Sequence, residues 1–211
     1  MDVKVVRNFP MLIENKKRIP NTKKELDLPD DKKIILYQGS INVDRGLLEA
    51  IEAMQYVNDA VLLIVGDGDI LGEIKAKVLQ LNLSEKVIFR KKVPFEELWH
   101  YTEHADIGIS LDKDTNLNYR FSLPNKIFDF VNAGVPVLAS DLVEIRNIFS
   151  KYNIGELIEN HNPKHIAEKV NFMLSNFEKR KIWIENTALA SKDLCWEKEE
   201  HVLREIYGQF V

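Results

Sequence analysis

Residues 118–141 read NYRFSLPNKIFDFVNAGVPVLASD. The stretch has three parts in a fixed order. A polar run ends at Leu123-Pro124, an amphipathic helix is predicted over Asn125–Asn132, and a Gly134-Val135-Pro136 turn leads into an apolar strand at 137–139. Pro124 suits the first turn of this helix, because the N–H it lacks would have no acceptor there. Gly134 falls where a helix C-terminus takes a left-handed residue. The helix therefore presents its free N–H groups and positive dipole end beside the preceding loop. Such an end is a ready anion site, and Lys126 in the first turn adds a full positive charge. Asp129, one turn on, is close enough to meet the sugar of a nucleotide whose phosphates sit at the helix start.

Outward from this stretch, the chain alternates apolar runs with amphipathic segments. Strands are predicted at 34–37, 60–65, 87–89 and 107–111, with helices at 47–56, 70–81 and 95–104 between them. Beyond Ser140 come a helix at 142–149, a short strand at Gly155–Ile158, and helices at Pro163–Ser175, 178–189 and 196–210. Continuous apolar strands separated by helices mean a parallel sheet covered on both faces. Right-handed crossovers make it a doubly wound, Rossmann-like α/β domain. Ligands in such sheets gather at the carboxyl ends of the strands. The candidates there are Gly39 and Ser40 after the first strand, Gly66-Asp67-Gly68 after the second, Arg90 after the third, and 112–120 after the fourth.

Residues 1–31 have no clean period. A short strand is expected at 3–6, followed by Asn8-Phe9-Pro10 and a charged stretch containing Pro20 and Pro29. The segment reads as an inter-domain linker or an N-terminal arm, with one domain over 32–211.

Composition narrows the function classes. An apolar fraction of 45% in 211 residues supports a real core. The net charge of −4 argues against a dedicated nucleic-acid binder. A single cysteine, Cys195, excludes an internal disulfide framework and fits a reducing compartment. No apolar run reaches the roughly 18 residues of a membrane span, and the first residues lack a signal-peptide pattern. The expectation is a cytoplasmic protein.

The pattern Leu-Pro-Asn-Lys-x-Phe-Asp-Phe-x-x-Ala-Gly-x-Pro-Val-x-Ala-Ser-Asp resembles the donor-site signature of the group 1, or family 4, nucleotide-sugar-dependent glycosyltransferases of GT-B fold. That family commonly has two glutamates separated by seven residues. Asp129 occupies the second position and Phe121 the first, where no sugar hydroxyl can be hydrogen-bonded. The resemblance implies the C-terminal, donor-binding half of such an enzyme, with 1–31 as the linker from an acceptor domain. It implies retaining transfer from a nucleotide diphosphate sugar, such as a UDP- or GDP-sugar, to an acceptor hydroxyl without a metal or other cofactor. Growing surface polysaccharide or a lipid-linked glycan is the acceptor class it implies, bound through the N-terminal domain, with peripheral membrane contact by the full-length protein.

The loop 39–46 is similar in form to the family's Gly-Arg-x…Lys-Gly loop. Arg45 stands where the lysine usually is, and a bidentate guanidinium suits phosphate. Ser40 replaces a second arginine. Arg45 and Lys126 are the expected catalytic cations. Gly39, Ser40, Gly66, Asp67, Gly68, Arg90, Leu123, Pro124 and Asp129 are the expected nucleotide contacts, and Tyr119 and Arg120 the expected sugar contacts.

Blander readings stand beside these. Arg45 also suits a solvated helix start, Lys126 and Asp129 an ordinary surface pair, and Arg90-Lys91-Lys92 a solvated face. Gly66-Asp67-Gly68 is a tight turn rather than a dinucleotide fingerprint, lacking a third glycine. The five histidines form no metal set. Two other functions remain open: a nucleotide-sugar epimerase, and a non-catalytic domain that keeps the fold for binding or interaction.

Overall fold

The computed structural model describes residues 5–12 and 22–208. The elements in chain order are β1 (Lys33–Ser40), α1 (Leu47–Ala53), β2 (Ala60–Asp67), α2 (Leu71–Gln80), β3 (Val87–Arg90), α3 (Phe95–Thr102) and β4 (Ile107–Ser110). Then follow α4 (Leu117–Arg120), α5 (Asn125–Asn132), β5 (Val137–Ser140), α6 (Val143–Tyr152), β6 (Gly155–Ile158), α7 (Pro163–Ser175), α8 (Phe177–Asp193) and α9 (Trp196–Tyr207). The six strands among the described residues pair in parallel, in the order β3-β2-β1-β4-β5-β6.

The two faces of the sheet follow from the period-2 alternation of strand side chains. In β1, Ile35 and Tyr37 join a core with Leu62, Ile64, Ile51 and Trp183. Ile34 and Leu36 join the opposite core with Leu63, Phe128, Phe130 and Ala190. Both faces are covered, which is why the strands read as unbroken apolar runs. Each fully buried Leu, Ile or Phe contributes about 1.5–3 kcal/mol relative to exposure.

Helix α5 is anchored through Ile127, Phe128, Phe130 and Val131, all buried. Phe9 seats edge-on against Phe128, with ring centroids 4.8 Å apart. The helix ends where the pattern predicts: Gly134 has φ 73°, Gly134 N donates to Val131 O and Val135 N to Phe130 O. A residue with a Cβ would be strained there. Pro124 is the N-cap rather than a residue of the first turn. Its φ of −64° fits either position, but its ψ of 129° is extended and its carbonyl accepts from Ile127 N.

Several elements differ from expectation. β1 and β2 run eight residues each, because Gly39 pairs with Gly66 and Ser40 with Asp67. The polar run before α5 contains a short helix, α4, capped by Asn116, whose side chain accepts from Tyr119 N. Of the strand expected at 3–6, the first two residues lie outside the described ones, and Val5 and Val6 are not in a strand. Pro20 and Phe210 also lie outside them, and α9 ends at Tyr207. At the amino end of the sheet, Asp106 accepts from Ile34 N at 2.9 Å, from Lys33 and from Arg180 of α8. Among the described residues, no helix is long and apolar enough to cross a membrane.

Candidate active site

The chain runs from β1 outward to β3 on one side, then returns to β4 and runs outward to β6 on the other. The reversal opens a crevice at the carboxyl ends of β1 and β4, where a parallel sheet binds ligands. Four segments converge on it: the end of β1, the loop from β1 to α1, the loop after β4, and the N-terminus of α5.

A cleft of about 480 Å³ lies at this point, lined by Gln38, Gly39, Ser40, Arg45, Ser122, Leu123, Pro124, Asn125, Lys126 and Asp129 with Leu98 of α3. A second compartment of about 660 Å³ shares Gly39, Ser40 and Leu98 with it, and is lined further by Gly66, Asp67, Gly68, Lys92, Val93 and Phe95. The structure thus brings Arg45, Lys126, Asp129, Leu123 and Pro124 around the first compartment, and Gly66-Asp67-Gly68 beside the second. Gly66 has a packing reason as well. A Cβ there would stand 2.0 Å from the Gly39 carbonyl oxygen.

The charged groups of the cleft are partly buried. Arg45 Nη1 donates to Asp112 Oδ2 at 3.1 Å, and its guanidinium carbon lies 5.0 Å from the Tyr119 ring centroid. Lys126 Nζ sits 4.2 Å from the Tyr37 ring centroid. Asp129 Oδ2 accepts from Gln38 Nε2 at 3.0 Å. Burial, aided by Arg45, lowers the Lys126 ammonium to about 8, with Asp112 and Asp129 opposing. Burial raises the Asp129 carboxyl to about 6 against the Gln38 hydrogen bond and Lys126. Burial disfavours the charge of Arg45, yet Asp112 together with Tyr119 and Tyr37 offsets this and the guanidinium is raised overall.

Other expected contacts are engaged elsewhere. Arg90 Nη2 donates to Leu26 O, Asp27 O and Asp27 Oδ2, so it fastens the 22–28 segment to β3, and Lys92 and Val93 line the compartment instead. Tyr119 lies against Arg45 and its hydroxyl donates to Val43 O. Arg120 is paired with Asp114 at 2.9 Å. Phe121 lines a separate apolar groove with Val5, Phe9, Leu123 and Phe128. Neither Tyr119, Arg120 nor Phe121 lines the two compartments.

Two residues that matter were not singled out by pattern. Gln38 is a lone amide in an apolar strand. Asp112 follows β4 by two positions, so the carboxyl-end rule pointed at its segment without choosing it. Among the described residues, no group of three or more His, Cys, Asp or Glu is arranged to hold a metal ion.

A cationic, anion-ready helix start at the switch point of a parallel sheet is the geometry, and comparison with known sequences names the family. Residues 18–189 match the family described as glycosyl transferases group 1. The chain belongs to this family. Among curated relatives of this group 1 glycosyltransferase chain, an uncharacterized glycosyltransferase of Methanocaldococcus jannaschii is 26% identical over 177 residues, covering 82% of this chain and 43% of that protein. The crystal structure of the C-terminal domain of a glycosyl transferase group 1 family protein from Francisella tularensis superposes with a TM-score of 0.66 at 19% identity, covering 80% of this chain and 88% of that one. The Anabaena protein HepE, solved in complex with UDP-glucose, superposes with a TM-score of 0.75 at 15% identity, over 88% of this chain and 51% of that one. The group 1 chain thus has the fold of the C-terminal half of a GT-B glycosyltransferase, and spans less than half of the curated relative's length.

Proposed function

We propose that this chain is the donor-binding half of a glycosyltransferase that moves a sugar from a nucleotide diphosphate sugar to an acceptor hydroxyl. The observation that carries this reading is one cleft into which Arg45, Lys126, the α5 N-terminus and Asp129 all open. Family membership supports the reaction class, and the UDP-glucose complex of HepE, a protein of similar fold, supports the donor class.

As the bond between sugar and phosphate breaks, negative charge grows on the leaving diphosphate. Arg45, Lys126 and the free N–H groups of α5 stabilise that charge in a partly desolvated site. Asp129 holds the ribose hydroxyls and orients the donor. Gly66-Asp67-Gly68, Lys92 and Val93 receive the base. Transfer proceeds with retention and without a metal. The acceptor, a surface polysaccharide or lipid-linked glycan, is held by an N-terminal domain joined through 1–31, on the cytoplasmic side of the membrane.

The test is a calorimetric titration of the chain with uridine, guanosine and adenosine diphosphates, repeated on Lys126→Ala and Asp129→Ala. One nucleotide binds, and each variant weakens it at least about tenfold, the scale of one charge-assisted hydrogen bond. Absence of binding to all three overturns the reading. A second reading, nucleotide binding without transfer, is favoured by Phe121, which turns its ring to the apolar groove and brings no acid to the sugar. Nucleotide binding by a two-domain protein that releases no glycoside from any donor would establish it.

A further inference from the structure

We propose that Asp112 is a positioning residue of the cleft: its buried carboxylate fixes Arg45 and supplies the counter-charge that lets Arg45 and Lys126 face one anion together. This rests on the diphosphate-binding reading of the cleft.

The Asp112 side chain is fully buried, at 0% exposure. Oδ2 takes one hydrogen bond, from Arg45 Nη1 at 3.1 Å. Oδ1 and Arg45 Nε are both buried with no hydrogen-bond partner among the described residues. A carboxylate so sparsely hydrogen-bonded is costly to bury as a structural device alone. Its charge is compensated by cations instead, Arg45 in contact and Lys126 nearby.

The surrounding backbone is pinned so that this charge stays in place. Lys113 N donates to Asp44 O at 2.9 Å, and the Tyr119 hydroxyl donates to Val43 O, tying the loop after β4 to the loop that carries Arg45. His161 Nε2 lies 2.9 Å from Leu111 O and 3.0 Å from Ser140 Oγ, holding the residue before Asp112 to β5. The loop that carries Arg45 is therefore tied to the segment that carries Asp112.

The charged and titratable groups acting on Lys126 are Arg45 from the loop after β1, Asp112 from the loop after β4, and Asp129 on its own helix. The Tyr37 ring of β1 lies against the ammonium, and Tyr119 of α4 lies against Arg45. Of these, Arg45 opposes the ammonium while Asp112 and Asp129 favour it. Without Asp112, two cations would share the cleft with Asp129 alone to balance them, and Lys126 would lose its proton near neutral pH. Half of the cationic grip on an anion would go with it.

The experiment follows the Lys126 side chain by NMR in the nucleotide-free chain, in wild type, Asp112→Asn, and Asp112→Asn with Arg45→Gln. In Asp112→Asn, Lys126 titrates about one pH unit lower, the usual effect of one close charge. In the double variant it returns toward the wild-type midpoint, because the repelling guanidinium is gone. Inorganic pyrophosphate binding at pH 8 falls in the single variant in step with the ammonium. An unchanged midpoint in Asp112→Asn, or no recovery in the double variant, overturns the proposal. If Asp112→Asn does not fold, Arg45→Gln alone decides it: Lys126 then titrates higher than in wild type, and an unchanged midpoint is the overturning result. Because the titration needs no nucleotide, loss of the donor reading and loss of this inference are separable. Wild type that binds no nucleoside diphosphate sinks the former, and a fixed Lys126 midpoint with nucleotide still bound sinks the latter.

Discussion

Gln38 donates its amide Nε2 to Asp129 Oδ2 across 3.0 Å, joining the carboxyl end of β1 to the cleft-lining side of α5. The amide is oriented from behind, since Thr102 Oγ1 donates to Gln38 Oε1 at 2.9 Å. One carboxylate oxygen thus accepts from the protein, and Asp129 lines the cleft. The pair keeps Asp129 more acidic than burial alone would leave it.

Removing that donor has a readable effect. Gln38→Leu raises the Asp129 carboxyl above about 6, so at pH 7 a larger share of it is protonated. Nucleoside diphosphate affinity at pH 7 falls severalfold relative to wild type, and the gap between the two closes toward pH 8 as Asp129 ionises in both. Carboxyl-carbon NMR of Asp129 reads the shift. An unmoved midpoint would show that burial sets the value by itself.

Binding of a diphosphate nucleotide requires ionised Asp129 and protonated Lys126. With the carboxyl at about 6 and the ammonium at about 8, affinity is bell-shaped in pH and greatest near neutrality. The acid limb vanishes in Asp129→Asn and the alkaline limb in Lys126→Met, at weaker binding throughout. Isothermal titration at half-unit pH steps checks both limbs.

Asp129 also links stability to pH. Its folded value of about 6 exceeds the ordinary value of 3.8, so between these two values the native state holds a proton that the unfolded chain has released. The stability contributed is fully present below 3.8 and is lost as pH rises through about 6. Asp129→Asn keeps an acceptor for Gln38 without the charge. It is therefore more stable than wild type at pH 7, with the two curves converging at low pH in urea unfolding, while nucleotide binding is impaired.

Arg90 separates tethering from binding. Its guanidinium is spent on Leu26 O and Asp27. Arg90→Ala accordingly leaves nucleotide affinity within about twofold. Limited proteolysis within 22–28 becomes faster, because a local anchor is lost. A tenfold loss of affinity instead would mean that the guanidinium leaves Asp27 to meet the ligand.

Much of the fold was legible from local chemistry. Local pattern marked the six strands observed and a further one at 3–6, of which Val5 and Val6 are in no strand; Asn162-Pro163 marked the start of α7, and Leu123-Pro124-Asn125-Lys126 followed by Gly134 marked the cationic start and left-handed end of α5. These features depend on a residue and its near neighbours, through helix caps, glycine at positive φ and the alternation of strand faces. Partners distant in sequence were decided by the sheet order. Placing β4 beside β1 carries Asp112 to Arg45, 67 positions away, and seating α5 on one face of the sheet carries Asp129 to Gln38, 91 positions away. The same packing extended β1 through Ser40, turned Arg90 to Asp27, and aimed Phe121 at the groove beside Phe9. Hydropathy records which face a residue turns to the core. It carries no information about which polar group waits on the neighbouring strand, because that is settled only when the strands are ordered in space.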